Sequence, residues 1–493
     1  MSTTLAVLVV YLAGVLTVGL LAARAFRGTG EDYFVATRTI GPFVLLMSLF
    51  GTHMTAFSIL GASGESYRVG IGVFSLMASS SAIVIPLVFF FVGTRLWAIG
   101  KRHGYLTQAQ FFRERFDSDG LGLLLFSVLV LLVVPYLLIG ILGGGVTLSR
   151  ITGGEVPGWV GGLVISLVVV TYVTAGGLRG TAWVNTFQTL VFMALGLVSV
   201  VFLVGKLGGL ENAFGQLAAN RPDLLSRDAH IPTAKFLSYT LIPLSAGMFP
   251  HLFMHWLSAR RLETFKLPIL AYPLCIVAVW VPSVLLGVFG HLDFPGIEGS
   301  AANGVLIRMI DLHAPDLLAG EVEVTGVFAA VMSSLDSQTL SVSNMFSQDI
   351  LKHYRFGDRM DERTQVLVGR GFVLAIIAIT YGISLVADAS IFGMAVWSFT
   401  GFAGLFPLVV ASIYWRRTTR AGAFASVLTV AGLWIYFFTD GWQVPGYSVG
   451  GTGILPVVVI VAASAVAVVV VSLLTRPPSD AVIERFFFDE RTG

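Results

Sequence analysis

Residues 47–58 read Met47-Ser48-Leu49-Phe50-Gly51-Thr52-His53-Met54-Thr55-Ala56-Phe57-Ser58, placing a glycine, two threonines and a histidine inside an otherwise apolar run. With Val44-Leu45-Leu46 before it and Ile59-Leu60 after it, the run is long enough to cross a bilayer, which takes about 20 mostly apolar residues. At that depth an interrupted helix is tolerated only where it lines a cavity or is buried in protein. A helix that opens at Gly51 and Thr52 frees carbonyl oxygens in the membrane interior, where only a ligand or another helix can satisfy them.

The rest of the chain fits a membrane setting. Of its 493 residues 56% are hydrophobic and only 12% charged. Soluble domains carry roughly 25% charged residues, so an ordinary cytosolic enzyme is excluded. The hydropathy pattern predicts an all-α membrane protein of about 13 transmembrane helices. A leader helix lies near 4–24. Ten core helices follow near 41–64, 71–98, 121–147, 158–176, 180–205, 236–257, 267–290, 322–348, 365–386 and 389–414, and two tail helices near 420–438 and 451–475. The leader is expected to be retained as a span: no positive charge precedes it, Arg24 and Arg27 follow it, and a signal peptide has the opposite order. The lone Cys275 excludes an intramolecular disulfide framework.

Charge asymmetry supports this layout. With the N-terminus outside and the C-terminus cytoplasmic, 23 of the 30 basic residues fall in cytoplasmic loops and 7 in outer ones, the bias of the positive-inside rule. The chain is thus expected to be a multi-pass protein of the cell (inner) membrane, with the lipid bilayer as its constant partner. No basic face interleaved with aromatics points to nucleic acid, and no feature calls for an obligatory protein partner. The outer loops 206–235 and 291–321 are the longest, and are expected to form short surface helices or lids.

Two further spans carry polar chemistry. Core helix 6 reads Pro243-Leu244-Ser245-Ala246-Gly247-Met248-Phe249-Pro250-His251, a second place for a helix to break. Core helix 8 reads Ala329-Ala330-Val331-Met332-Ser333-Ser334-Leu335-Asp336-Ser337-Gln338, then Ser341, Ser343 and Asn344. A hard cation such as sodium prefers carbonyl and hydroxyl oxygens. Helix 8 offers the adjacent hydroxyls of Ser333 and Ser334, one turn from the Ala330 carbonyl. Asp336 is the one carboxylate well inside a predicted span, a functional hypothesis by default. Helices 1 and 6 are both interrupted and lie five helices apart. Such pairing points to a transporter built as a 5+5 inverted repeat with its site at the midplane. The domains are then a leader and loop (1–40), a first repeat (41–205), a second repeat (206–414), two tail helices (415–475) and a cytoplasmic tail (476–493).

At these residues the chain resembles the sodium:solute symporter family, built on the leucine-transporter fold. Glu31-Asp32-Tyr33-Phe34-Val35-Ala36-Thr37-Arg38 is similar to the motif before helix 1, and Gly61-Ala62-Ser63-Gly64-Glu65-Ser66-Tyr67 to the Gly-rich exit from it. Gly176-Gly177-Leu178-Arg179-Gly180-Thr181-Ala182-Trp183-Val184-Asn185-Thr186-Phe187-Gln188 resembles the loop and start of helix 5. Ala330-Val331-Met332-Ser333-Ser334 resembles the ion motif of helix 8, and Ser347-Gln348-Asp349-Ile350 its end. The resemblance implies a co-transported sodium ion held by the carbonyls of Gly51, Met54 and Ala330 and the hydroxyls of Ser333 and Ser334. A small-molecule solute would sit beside it, between helices 1, 2, 3, 6 and 10. Many members have Asp where this chain has Asn185, a residue associated with a second sodium site. We expect Asp336 to replace that carboxylate, with Asn185, Asp336 and Ser337 facing one another as a second cation site. The tyrosine that gates sugar in the sugar-carrying branch aligns with Ser245, which argues against a hexose.

Solute contacts are expected from Thr52, His53 and Ser58 at the helix 1 break, Ser245 at the helix 6 break, Tyr136 after Pro135 on helix 3, and Trp397 and Ser398 on helix 10. His53 could bind a carboxylate, and the N-termini of half-helices favour anions. The expected solute is a small carboxylate, monocarboxylate or pantothenate-like, with a proline-like amino acid as the alternative. His251 and His255 have i, i+4 spacing but no third metal ligand nearby. No HExxH, GxSxG or paired-acid constellation suggests an enzyme. A transporter-like solute sensor is the alternative of another class, although the tail after residue 476 is short for a signalling domain.

Overall fold

In hydrocarbon the Val/Leu/Ile/Ala runs have no partner for their backbone except themselves, and they form helices. The computed structural model describes residues 3–24, 38–313, 320–354, 362–387 and 390–487. The motif at 31–37 before helix 1, most of the loop at 314–319 and the basic residues Arg27, Arg355, Arg359 and Arg491 lie outside them. Among the described residues there is no strand; a single isolated bridge pairs Ile40 with Ala259.

Eight described helices are long and apolar enough to cross a membrane, nine if the bent pair Pro42–His53 and Phe57–Val69 is one span. Those eight are Gly72–His103, Asp119–Arg150, Gly177–Lys206, Leu262–Asp293, Leu367–Ser384, Ile391–Tyr414, Arg420–Gly441 and Pro456–Leu474. The other expected spans are the leader, helical over Thr3–Arg24, helix 4, which is the first part of the helix Gly158–Lys206, the interrupted helix 6 and the hydroxyl-rich helix 8. Helix 6 runs as Thr233–Tyr239, a 3-10 stretch Ile242–Gly247 and Pro250–Ser258. Helix 8 runs Gly320–Met345 and continues as a π-helical turn, Phe346–Lys352.

One boundary differs from expectation. A short loop was expected between helices 4 and 5, but Gly158–Lys206 is helical throughout except at Gly177, with φ 55° and ψ −158°. A residue without Cβ takes that backbone conformation without steric penalty, so one glycine does the work of a loop.

Ion pairs and loop bonds sort into two sets that match the two groups of loops. On one side Arg38 donates to the Leu257 and Tyr105 carbonyls, Arg113 pairs with Asp349, and Arg115 donates to Ser412 O. The short helix Asp480–Phe486 docks there too, with Phe486 buried against Tyr105 and Phe111 and Arg485 paired with Glu114. On the other side Glu65 pairs with Arg68 and Lys235, Arg68 donates to Ser390, and Tyr67 stacks on His291.

Helix 5 is central, packed on helices 1 and 8 and the leader. Close approach depends on glycine at Gly287 of helix 7, where an added Cβ would lie 2.1 Å from Ser66 Oγ and 2.2 Å from the Ser63 carbonyl. Overpacking such a contact costs about 1–3 kcal/mol. Gly287→Ala should therefore lower the thermal unfolding temperature in detergent, whereas Gly432→Ala, with open space around it, should leave it unchanged or slightly raised.

Candidate functional site

Helix 1 stops at His53, and its two halves meet at 61°. Met54 has left the helix (φ −87°, ψ 97°), although its N–H still reaches the Phe50 carbonyl at 2.8 Å. The carbonyls behind it lose their helical donors, and two are met by other helices. Gly51 O accepts from Ser333 Oγ of helix 8 at 2.9 Å, and His53 O from Tyr136 Oη of helix 3 at 3.3 Å. The second half restarts on Thr55, whose hydroxyl accepts from Phe57 N–H at 3.0 Å. It opens as a π-helical turn, Phe57–Gly61, a form frequent at functional sites. Gly51 is required for closeness: an added Cβ would stand 2.1 Å from Thr189 Oγ1, which itself donates to Met47 O at 3.0 Å.

Gly51, Ala330 and Ser333 thereby meet, with Ser334 next to Ser333 on helix 8 and bonded within that helix. Ser333 Oγ also lies 3.1 Å from Ala330 O, and Ser334 Oγ lies 3.0 Å from Val331 O. All are buried. Met54 caps the same helix end and accepts a weak bond from Ser58 Oγ on its sulfur, 3.0 Å away. Hard oxygens from two helices within hydrogen-bonding distance, with no His, Cys, Asp or Glu cluster of metal-binding type among the described residues, suit a monovalent hard cation better than a transition metal.

A second polar cluster joins helices 5, 6 and 8. Asn185 Nδ2 donates to Ser337 Oγ at 2.8 Å, and His255 Nε2 lies 3.3 Å from the same oxygen. Asn185 Oδ1 is buried with no hydrogen-bond partner. Asp336, fully buried, stands within electrostatic reach of Tyr11 on the leader helix. Asn185 and Ser337 are thus brought together, while Asp336 is shared with the leader.

The helix 6 break lies across from that of helix 1. Phe249 is extended ahead of Pro250, as a residue before proline prefers, and the Ser245 carbonyl accepts from both Met248 and Phe249. Between the breaks lies a narrow cavity lined by His53, Met54, Phe57, Ser58, Ser81, Ile85, Tyr239, Ile242, Pro243, Ser245, Trp280 and Phe399. No Lys, Arg, Asp or Glu is among these residues. Ser245 Oγ and Trp280 Nε1 are buried there without partners.

Of the residues expected to touch solute, His53, Ser58 and Ser245 line the cavity. Tyr136 sits behind it, its ring against Phe249, Phe399 and His251. Thr52 is buried outside the lining with its hydroxyl unpartnered. Trp397 and Ser398 face elsewhere. The Trp397 ring packs on Phe438 and Tyr447 on the tail side, and its carbonyl accepts from Trp434; Ser398 Oγ donates to Leu132 O at 2.9 Å. Phe57, Ser81, Tyr239 and Trp280 line the cavity without having stood out in the sequence. Phe57 had one usable signal, its position one residue past the helix 1 break.

The sequence profile of the sodium:solute symporter family matches residues 33–430. The chain is 26% identical over 478 residues to the sodium/proline symporter of Escherichia coli (strain K12), covering 90% of this chain and 91% of that one. It is 24% identical over 454 residues to the sodium/pantothenate symporter of the same organism, covering 89% and 91%. Among solved structures it resembles the substrate-bound outward-open state of a Na+-coupled sialic acid symporter. The TM-score is 0.76 at 17% identity, over 97% of this chain and 98% of that one. That likeness establishes the fold.

The placement separates lining from bracing residues. Ser398→Ala, which loses one buried hydrogen bond worth about 1 kcal/mol, should lower thermal stability and leave apparent solute affinity unchanged. Ser245→Ala should shift apparent solute affinity with little effect on stability, both read by uptake kinetics and thermal unfolding.

Proposed function

As the chain belongs to the sodium:solute symporter family, we propose that it imports a small organic solute with sodium by alternating access. One observation carries the reading: at the helix 1 break, the Gly51 carbonyl and the Ser333 hydroxyl stand 2.9 Å apart with Ala330 O 3.1 Å beyond. Sodium would be held by the carbonyls of Gly51, Met54 and Ala330 and the hydroxyls of Ser333 and Ser334, tying helix 1 to helix 8. Asn185, Ser337 and Asp336 are the candidates for a second cation. The protein would lie in the cell membrane with its N-terminus outside and its C-terminus cytoplasmic, as the charge bias supports.

Coupling follows from the shared break. The same three residues that end helix 1 supply an ion ligand (Gly51), a cavity wall (His53) and a hinge (Met54). An ion drawing Gly51 and Ser333 together also sets the His53 wall of the solute cavity. The ion-paired Glu65, Arg68 and Lys235 on one face and Arg113 and Asp349 on the other would open in alternation.

For the solute we favour a small carboxylate. The cavity offers donors from His53 and Ser245 and apolar walls from Phe57, Trp280 and Phe399. The outer half of helix 1 and the inner half of helix 6 begin near it, and helix N-termini favour anions. A proline-like zwitterion is the second reading, favoured by the same aromatic walls, which attract an ammonium through their ring faces. The sodium/proline and sodium/pantothenate relatives, at 26% and 24% identity, accommodate both.

Proteoliposomes with an imposed sodium gradient test the proposal with labelled propionate, L-proline and D-glucose. Uptake of propionate or proline should require sodium and collapse with the gradient; uptake of glucose alone, or uptake indifferent to sodium, overturns the reading. Loss of one hydroxyl ligand to an ion is worth about 1.5 kcal/mol, roughly tenfold. Ser333→Ala and Ser334→Ala should therefore each raise half-saturating sodium about that much, with little change in apparent solute affinity at saturating sodium. Unchanged sodium dependence in both variants overturns the ion site.

A further inference from the structure

Behind the cavity, Tyr272 of helix 7 touches the solute machinery through one atom. Its ring is fully buried and held edge-on between Phe50, at 5.1 Å, and Phe89, at 5.2 Å. Its hydroxyl stands 2.6 Å from His53 Nδ1, its one hydrogen-bond partner among the described residues. Tyr272 does not itself line the cavity.

That geometry decides where the histidine proton sits. A neutral imidazole carries one N–H, on either Nδ1 or Nε2, and the choice is set by the partner of the other nitrogen. With the proton on Nδ1, the ring would donate to the Tyr272 oxygen and leave the phenol O–H without an acceptor in an aromatic cage. A buried donor left unmet forfeits the hydrogen bonds it made to water and is strongly disfavoured. A doubly protonated ring would leave the same donor stranded. With Nδ1 bare, Tyr272 donates to it and the one donor shut inside the aromatic cage is met. The N–H is then on Nε2, the other nitrogen of a ring that lines the cavity, and is left for a solute to meet.

We propose that Tyr272 is a positioning residue that selects the solute class, holding His53 as its Nε2–H tautomer so that the cavity presents a fixed hydrogen-bond donor to a carboxylate. The inference rests on the solute reading above and adds its mechanism. The Ser245 hydroxyl, buried and unpartnered in the same lining, is the second donor such a group meets. A cation offers only N–H donors at that point and finds the His53 edge already a donor. The lock is built from protein groups of helices 1, 2 and 7, so it is set before solute arrives, and binding spends nothing on choosing a tautomer.

The test uses the full chain in lipid nanodiscs, with 15N-labelled histidine, His53→Gln to assign the signals, and propionate as the probe. The wild-type spectrum should show His53 protonated at Nε2 and bare at Nδ1, and Tyr272→Phe should give a mixture of tautomers. Propionate protection against thermal unfolding at saturating sodium should weaken about tenfold in Tyr272→Phe, the scale of one hydrogen bond to a charged group. Half-saturating sodium should stay within about twofold. In the His53→Gln background, whose amide N–H needs no tautomer lock, adding Tyr272→Phe should cost less than about twofold more. A wild-type His53 protonated at Nδ1 overturns the inference even if Tyr272→Phe cannot be folded. So does an equal loss from Tyr272→Phe in both backgrounds, which marks a packing role. A wild type in the Nε2–H form that propionate does not protect leaves the lock standing and overturns the solute reading instead.

Discussion

A carbonyl freed inside a bilayer has no water to turn to, and the bond from Ser333 Oγ to Gly51 O is where this chain meets that constraint. Breaking helix 1 is costly unless a neighbouring helix supplies donors at the right height. Helix 8 supplies Ser333 and helix 3 supplies Tyr136. Both must therefore stand close to helix 1, and small residues allow it. Gly51 faces Thr189 of helix 5, and Gly143 of helix 3 would set a Cβ 2.6 Å from Ala56 at the break. The bundle is arranged around a defect that it has to serve. The oxygens brought together to serve it are the ones a sodium ion would bind.

How much of this was legible in the sequence depends on whether a feature is a matter of depth or of direction. Depth is one-dimensional. Gly51, the Pro243-to-Pro250 segment and Ser333-Ser334 announce themselves by standing where lipid forbids idle polar groups; the structure breaks helix 6 within its segment, but carries helix 1 past Gly51 and Thr52 to His53 and breaks it at Met54 and Thr55. Of Asn185, Asp336 and Ser337, expected to face one another, Asn185 and Ser337 are hydrogen-bonded. Direction is another matter. Successive residues on a helix differ by about 100°, so Trp397 and Ser398 turn toward the tail helices and helix 3 while Phe399, the next residue, faces the cavity. Trp280 has no polar residue beside it to mark its face, and Tyr239 lies between Ser238 and Thr240, neither of which lines the cavity. Gly177 hid a different feature. A single positive-φ glycine replaced a loop, and nothing in residue composition separates such a glycine from one that merely packs.

The two ion-paired faces show a division of labour between the halves of a broken helix. The second half of helix 1 ends at Glu65 and Arg68, tied to Lys235 in the first stretch of helix 6 and Ser390 ahead of helix 10. The first half begins beside Ile40, bridged to Ala259 at the end of helix 6. Each half of helix 1 is therefore bound to the half of helix 6 on its own side, and the unwound residues between carry no such tie. A rigid pair of straight helices would move as one body. A pair broken at the same depth can tilt at either end while the middle, where Gly51 meets Ser333, stays in place.

The second polar cluster follows a different rule from the first. Around Gly51 the freed groups are carbonyls, all acceptors, and hydroxyls answer them. Around Ser337 the groups are side chains: Asn185 gives its N–H to Ser337, and its own carbonyl oxygen is left buried without a donor. The carboxylate one residue earlier, Asp336, is in electrostatic reach of Tyr11 on the leader helix rather than placed on helix 5, where many family members carry theirs. A cation at Ser337 would take up the idle Asn185 oxygen and feel the Asp336 charge from the side. Its binding would then depend on how the leader packs against helices 5 and 8. Moving a carboxylate from one helix to the next thus does more than conserve charge: it sets that charge beside the leader helix.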